Sequence, residues 1–204
     1  QLYLTGAARN DGYSTFGVSN RRAWFPKVSA AWTFTNALGN TDQKGFLSYG
    51  KARIGYGETG KEPGVYQTIT ALTLTNVYGS GFGDVIGESQ SGLAGTGTSF
   101  AAGNDSLKPE RTREVEAGLD FGFVDQKVDL SLTYYHQRSS DVILQIPTNG
   151  AGTGFGAALA NGAVITNKGW EASLNARPVT MQNFSWDFGL QWGKNQNTVD
   201  NLQG

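Results

Sequence analysis

The chain has 204 residues, 16 Lys and Arg against 17 Asp and Glu, a formal net charge of -1 and no cysteine. This balance supplies no basic field to hold nucleic acid, and without thiols there is neither a disulfide framework nor a thiolate metal site. No apolar run approaches the roughly 18 residues of a transmembrane helix. The 29 glycines and 12% aromatic residues suit bends, loops and interfacial rings.

Taken in order, the chain reads as strands. Leu2 to Ala8 is a short run with Leu2 and Leu4 on one face. Arg9 to Arg22 is a polar loop with the turn-forming pairs Asp11-Gly12 and Ser19-Asn20. In Trp24 to Thr35, Val28, Ala30, Trp32 and Phe34 alternate with Ser29, Ala31 and Thr33. Pro26 stands near the start of this strand, where a missing N–H is tolerated. After the polar connection Asn36 to Gly45, Phe46 to Thr59 sets Ala52, Ile54 and Tyr56 against Lys51, Arg53 and Gly55.

Gly60 to Ser106 is a long connection. Tyr66 to Tyr78 within it has the composition of a local strand or hairpin, while Gly79 to Asp105 carries no pattern that demands structure. The clearest hairpin follows. Val115, Ala117, Leu119, Phe121 and Phe123 oppose Glu116, Gly118, Asp120 and Gly122. After a reversal at Val124-Asp125-Gln126-Lys127, Val128, Leu130, Leu132 and Tyr134 oppose Asp129, Ser131, Thr133 and Tyr135. A period of two places successive side chains on opposite faces, which is the mark of a strand. Pro147 to Asn161 is a Gly/Ala-rich loop. Val164 to Arg177 is a sixth strand that Pro178 ends, and Phe184 to Lys194 is a seventh in which Phe184, Trp186, Phe188, Leu190 and Trp192 oppose Ser185, Asp187, Gly189, Gln191 and Gly193.

The runs are longer than the usual 5–6 residues and fit the roughly 9–11 of a tilted strand that crosses a bilayer. Their connections alternate long and short, as in an outer-membrane barrel with short periplasmic turns and long outer loops. The fold class expected is all-β: an antiparallel transmembrane barrel, here about seven strands of a larger one. Glu116, Asp120, Glu171, Arg177 and Asp187 are the candidates for a water-facing lumen wall, because such charges are costly in a closed core. Trp32, Trp170, Trp186 and Trp192 are the candidates for anchors at the membrane interface. Both ends of the chain read as cut, so a piece of a longer protein is expected, with no signal peptide, plug or TonB box within it.

Four runs resemble the barrel of TonB-dependent outer-membrane transporters, in particular the SusC/RagA type. They are Phe25-Pro26-Lys27-Val28-Ser29-Ala30-Ala31-Trp32, the stretch from Leu47 to Gly60, Leu107-Lys108-Pro109-Glu110-Arg111 with Glu116 and Gly118, and Asn167-Lys168-Gly169-Trp170-Glu171. Their order is the family's order. The resemblance implies a 22-stranded barrel with a plug, import driven through TonB, a SusD-like surface lipoprotein as partner, outer-membrane lipid around the wall, and oligosaccharides or oligopeptides as cargo. Siderophore and vitamin receptors share that fold. The segment Asn36 to Gly45 departs from the type in being short and in lacking an acidic helical stretch.

Other readings are weaker. His136 is the single histidine, and no spacing supplies partners for catalysis or metal binding. Gly79 to Gly83 precedes no helix and carries no Lys-Ser/Thr, so it is no phosphate loop. The pairs Glu116 with Asp120, and Glu171 with Asp187, have no fixed separation that would mark a glycosidase. No catalytic residue, metal ligand or cofactor is expected. The rivals are a soluble glycan-binding β-sandwich, which would fold alone in water, and an autotransporter or adhesin barrel, which would have no plug upstream.

Overall fold

A computed structural model describes residues 1–16, 20–39, 45–75 and 95–202. Its strands are β1 (Leu2–Gly12), β2 (Arg22–Thr33), β3 (Leu47–Lys61), β4 (Leu72–Thr75), β5 (Gly95–Thr98), β6 (Ala101–Ala102), β7 (Glu110–Phe123), β8 (Val128–Pro147), β9 (Ala157–Met181) and β10 (Phe184–Leu202), with helical turns α1 (Phe34–Ala37) and α2 (Gly150–Thr153). One sheet runs in the order β1-β2-β3-β7-β8-β9-β10, each pair antiparallel. The seven long strands expected from the alternation are these seven. β6 adds a short parallel contact to the start of β9, and β4 with β5 forms a separate ribbon. The ribbon's first strand falls inside the Tyr66 to Tyr78 stretch. The glycine run Gly79 to Gly83 lies outside the described residues, as does Ser19 of the expected turn pair.

The sheet is one layer with two unlike faces. Residues paired across strands share a face. One row reads Leu2, Trp32, Ala52, Leu119, Leu132, Ala172 and Trp192. The next row on the opposite face reads Tyr3, Ala31, Arg53, Gly118, Thr133, Glu171 and Gly193. The apolar face is bare: Leu4 is 75% exposed, Ile54 57% and Trp192 55%. The buried hydrophobic residues, among them Phe16, Ala23, Phe25, Leu107, Leu159 and Ala163, cluster instead where the long connections leave the sheet, and the buried polar Thr33, Thr35 and Ser48 sit at the opposite end. A water-soluble sandwich would bury the alternating residues along its strands. Here burial ties down loops, and the strand faces stay open.

Strand extents differ from the alternation in an informative way. β8 runs on to Pro147, β9 begins at Ala157 and β10 continues to Leu202. In the β9 and β10 extensions polar and small residues predominate, and in β8 a bulge between Ser139 and Ile143 breaks the alternation ahead of Ile143, Leu144 and Ile146, yet backbone pairing continues. Pro178 does not end β9. It sits where the β9–β10 register shifts between Trp186 and Phe188, a bulge that needs no ladder N–H from it. β2 stops at Thr33 and turns into α1, so Phe34 leaves the strand face and its ring covers Gly50. The long–short rhythm holds at 62–109, 124–127, 148–156 and 182–183 but not at the first two connections: the first loop contracts to 13–21 because β1 and β2 pair as far as Gly12 and Arg22, and the connection 34–46, expected to be the short one, is longer than it. There Tyr13 donates to Asp11 at 2.8 Å, and burial followed by that carboxylate pushes its phenol above the usual range.

The reversal at 124–127 is held from both sides. Val124, Asp125 and Gln126 all take positive φ, at 52°, 54° and 62°. The fully buried Ser48 hydroxyl donates to the Gly122 carbonyl and accepts the Gln126 N–H, each at 2.9 Å. Asp125 Oδ1 accepts the Gly45 N–H at 2.7 Å.

Candidate functional site

The polar face carries a charge cluster centred on Arg53. Its guanidinium pairs with Glu116, lies 3.5 Å from Asp120 and donates to Thr133 at 2.6 Å, while Ser131 donates to Asp120 at 2.7 Å. This closes across β3, β7 and β8 because Gly118, directly opposite Arg53, has no side chain: a Cβ there would stand 2.5 Å from Arg53 Nε. All three charged groups remain partly open to solvent. Such pairs contribute at most about 1 kcal/mol each, so the cluster fixes geometry more than stability.

All five charges singled out from sequence lie on this face. Glu116 and Asp120 share the one guanidinium, which makes them a structural pair and not an acid–base dyad. Arg177 pairs with Asp187 at 2.5 Å near the short-turn end. Glu171 lies between Thr133 and Gly193 without an ion-pair partner among the described residues, at the edge of an open recess of about 480 Å³ with Ser131, Ser173 and Gln191. Glu171 and Asp187 are not brought together. Arg53 was missed as a centre. Its alternation with Ala52 and Ile54 gave its face, but only the register reveals the glycine it lies on.

The apolar face holds the four tryptophans singled out from sequence, out of five in the chain. Trp32 and Trp192 share a row, Trp170 sits toward the long-loop end, and Trp186 toward the short turns. Trp170 packs on Tyr134 with ring centroids 4.8 Å apart. His136 is also on this face, between Val115 and Lys168. Among the described residues no group of three or more His, Cys, Asp or Glu is placed to hold a metal.

Toward the long loops the apolar runs stop abruptly. The first polar residue met on this face, with the apolar or aromatic residue before it, is Glu58 after Tyr56, Arg113 after Val115, His136 after Tyr134, Lys168 after Trp170, and Lys194 after Trp192. This border does not follow a hydrogen-bond row. Ile54 shares the row of Lys194, and Glu58 lies four residues beyond Ile54 across four strand steps from β3 to β10. A drift of one residue per strand, with about 3.3 Å of rise against 4.8 Å of spacing, corresponds to a tilt of about 35°. Membrane barrels tilt their strands by about 35–45°.

Three of the four runs noted in the sequence meet at one point. The buried Phe25 ring lies between the guanidinium groups of Arg9 and Arg111, at 5.5 and 5.4 Å. It also occupies the space that a Cβ on Gly60 would need. Lys108 is tied down through its backbone, which exchanges two 2.9 Å bonds with the Asn161 amide. These three runs therefore secure loop-to-strand junctions.

The family pattern described as TonB dependent receptor-like, beta-barrel matches residues 1–203. The chain belongs to this family. Among curated members, this chain is 31% identical to the TonB-dependent receptor P3 of Formosa agariphila over 200 residues, covering 98% of this chain and 19% of that protein. It is 30% identical to the TonB-dependent receptor SusC of Bacteroides thetaiotaomicron over 207 residues, again 98% of this chain and 19% of the relative. The structure of the RagAB peptide importer in its closed-closed state superposes with a TM-score of 0.84 at 23% identity, over 100% of this chain and 21% of that one. The chain thus spans about a fifth of the proteins it matches, and a tilted, one-layer, two-faced sheet is what a piece of barrel wall of that size should be.

Proposed function

We propose that this chain is a stretch of wall in an outer-membrane importer of oligosaccharides or oligopeptides, powered through TonB and paired with a SusD-like surface lipoprotein. The observation that carries this reading is the contrast of the two faces. The apolar face, bordered by Tyr56, Tyr134, Trp170 and Trp192, suits lipid. The opposite face, with Arg53, Glu116, Asp120, Glu171, Arg177 and Asp187, suits a wet passage. Closure with further strands satisfies the edges that β1 and β10 leave open. The cargo class is taken from the relatives: one is a SusC protein and one a peptide importer. The wall's part in import is passive. Its charged groups shape and wet the route.

The test is uptake by cells that carry the full-length receptor, with the gene deleted and then restored. Loss and recovery of growth on a panel of oligosaccharides or oligopeptides supports the reading. Loss of iron–siderophore or vitamin uptake alone contradicts it. Restoring with Glu171→Ala, or with Asp187→Ala together with Arg177→Ala, tests the wall residues; uptake unchanged in both removes them from the cargo route.

A further inference from the structure

We infer that Lys168 and Lys194 form a site for the phosphate of an outer-leaflet glycolipid of the lipid A class. This rests on the barrel reading above. The two lysines are the first residues past the apolar border on β9 and β10. They are diagonal neighbours, since Lys168 pairs with Gln196 and Lys194 with Trp170, a separation of about 7–8 Å that one phosphate can bridge with two long side chains. Together with Tyr134, Gly169, Trp170 and Gln196 they line a recess of about 170 Å³ on the lipid-facing side.

Charge accounting separates this pair from its neighbours. Further toward the loops, Arg113 and Arg111 are committed to Glu58, and Arg138 to Asp200, 3.8 Å away. Asp200 also accepts from Thr166 at 2.5 Å. Lys168 and Lys194 have no acidic partner among the described residues. Two ammonium groups without an acidic partner among the described residues, sharing a recess with the tilted Tyr134–Trp170 pair where an apolar face meets water, fit an anionic headgroup whose acyl chains run down the apolar rows. The long loops mark this border as the outer one, where phosphorylated glycolipid is the anionic lipid at hand.

The experiment is native mass spectrometry of the full-length receptor in detergent, titrated with monophosphorylated lipid A and with the same lipid after dephosphorylation. The wild-type receptor should retain the phosphorylated form preferentially. The Lys168→Gln, Lys194→Gln double variant should bind it roughly 30-fold more weakly, at about a factor of five per lysine. Lys51→Gln, on the opposite face, should bind as wild type, and matching thermal denaturation should show all variants folded. Equal retention of the dephosphorylated lipid, or undiminished binding by the double variant, overturns the site. Displacement by millimolar inorganic phosphate overturns the lipid assignment, because a free anion would then suffice. Failure of cargo uptake without loss of lipid retention would refute the importer and leave this site standing.

Discussion

The guanidinium of Arg53 lies flat across Gly118, and a methyl group at that glycine would stand 2.5 Å from Arg53 Nε. The charge cluster on the polar face therefore depends on a missing side chain. Gly169 is crowded too, but by different atoms: a Cβ there meets the Lys194 carbonyl oxygen and the Tyr135 hydroxyl, both at 2.6 Å. The distinction gives an ordering. Gly118→Ala moves the end of a flexible side chain and should lower stability by less than about 1 kcal/mol. Gly169→Ala pushes on backbone and should cost about 1–3 kcal/mol. Denaturant midpoints of the full-length receptor check the order, and a Gly118→Ala variant as damaging as Gly169→Ala refutes it.

The turn at 124–127 stores strain in an unsuitable residue. Valine at φ 52° is held in a conformation that disfavours β-branched side chains by about 1–2 kcal/mol. Val124→Gly should therefore leave stability unchanged or raise it slightly, although glycine ordinarily weakens a fold through the unfolded state. Ser48→Ala removes both bonds that hold this turn from within and should cost about 1–2 kcal/mol. Thermal denaturation should show a clear loss in Ser48→Ala and none in Val124→Gly; a marked loss in Val124→Gly contradicts the strain.

Facing is testable with two adjacent residues. Leu190 points to the apolar side and Gln191 to the polar side of β10. Leu190→Arg should destabilise the receptor in a bilayer by about 2–4 kcal/mol if it lies near mid-depth, whereas the polar side should accept Gln191→Arg with little change. Reversible unfolding from liposomes measures both.

Much of this was legible in the sequence because a wall between lipid and water makes every strand alternate. Phe184 to Lys194 gave its two faces directly, and so did Val115 to Tyr135. The signal failed where that contrast ends. Ala157 to Ala163 and Asn195 to Leu202 are paired strand, yet they lie beyond the apolar border, and their composition resembles loop. Pro178 looked like a terminator because a bulge cannot be seen without its partner strand. The Arg53 cluster was half legible: parity supplied its face, but the juxtaposition with Gly118, Glu116 and Thr133 follows from register across β3, β7 and β8. The three left-handed residues of the hairpin turn were hidden for the opposite reason, since Val124 is a residue from which no such conformation is expected.

Single cysteines in the full-length receptor, in intact outer membrane, test the central claim most directly. With other thiols removed, cysteine replaces Leu190, Ala172, Gln191 or Ser173 in turn, and each is offered a membrane-impermeant, water-soluble maleimide. The account predicts labelling at positions 191 and 173 and protection at 190 and 172. Equal labelling at all four, or the reverse pattern, would contradict a wall with lipid on one side and a water-filled passage on the other.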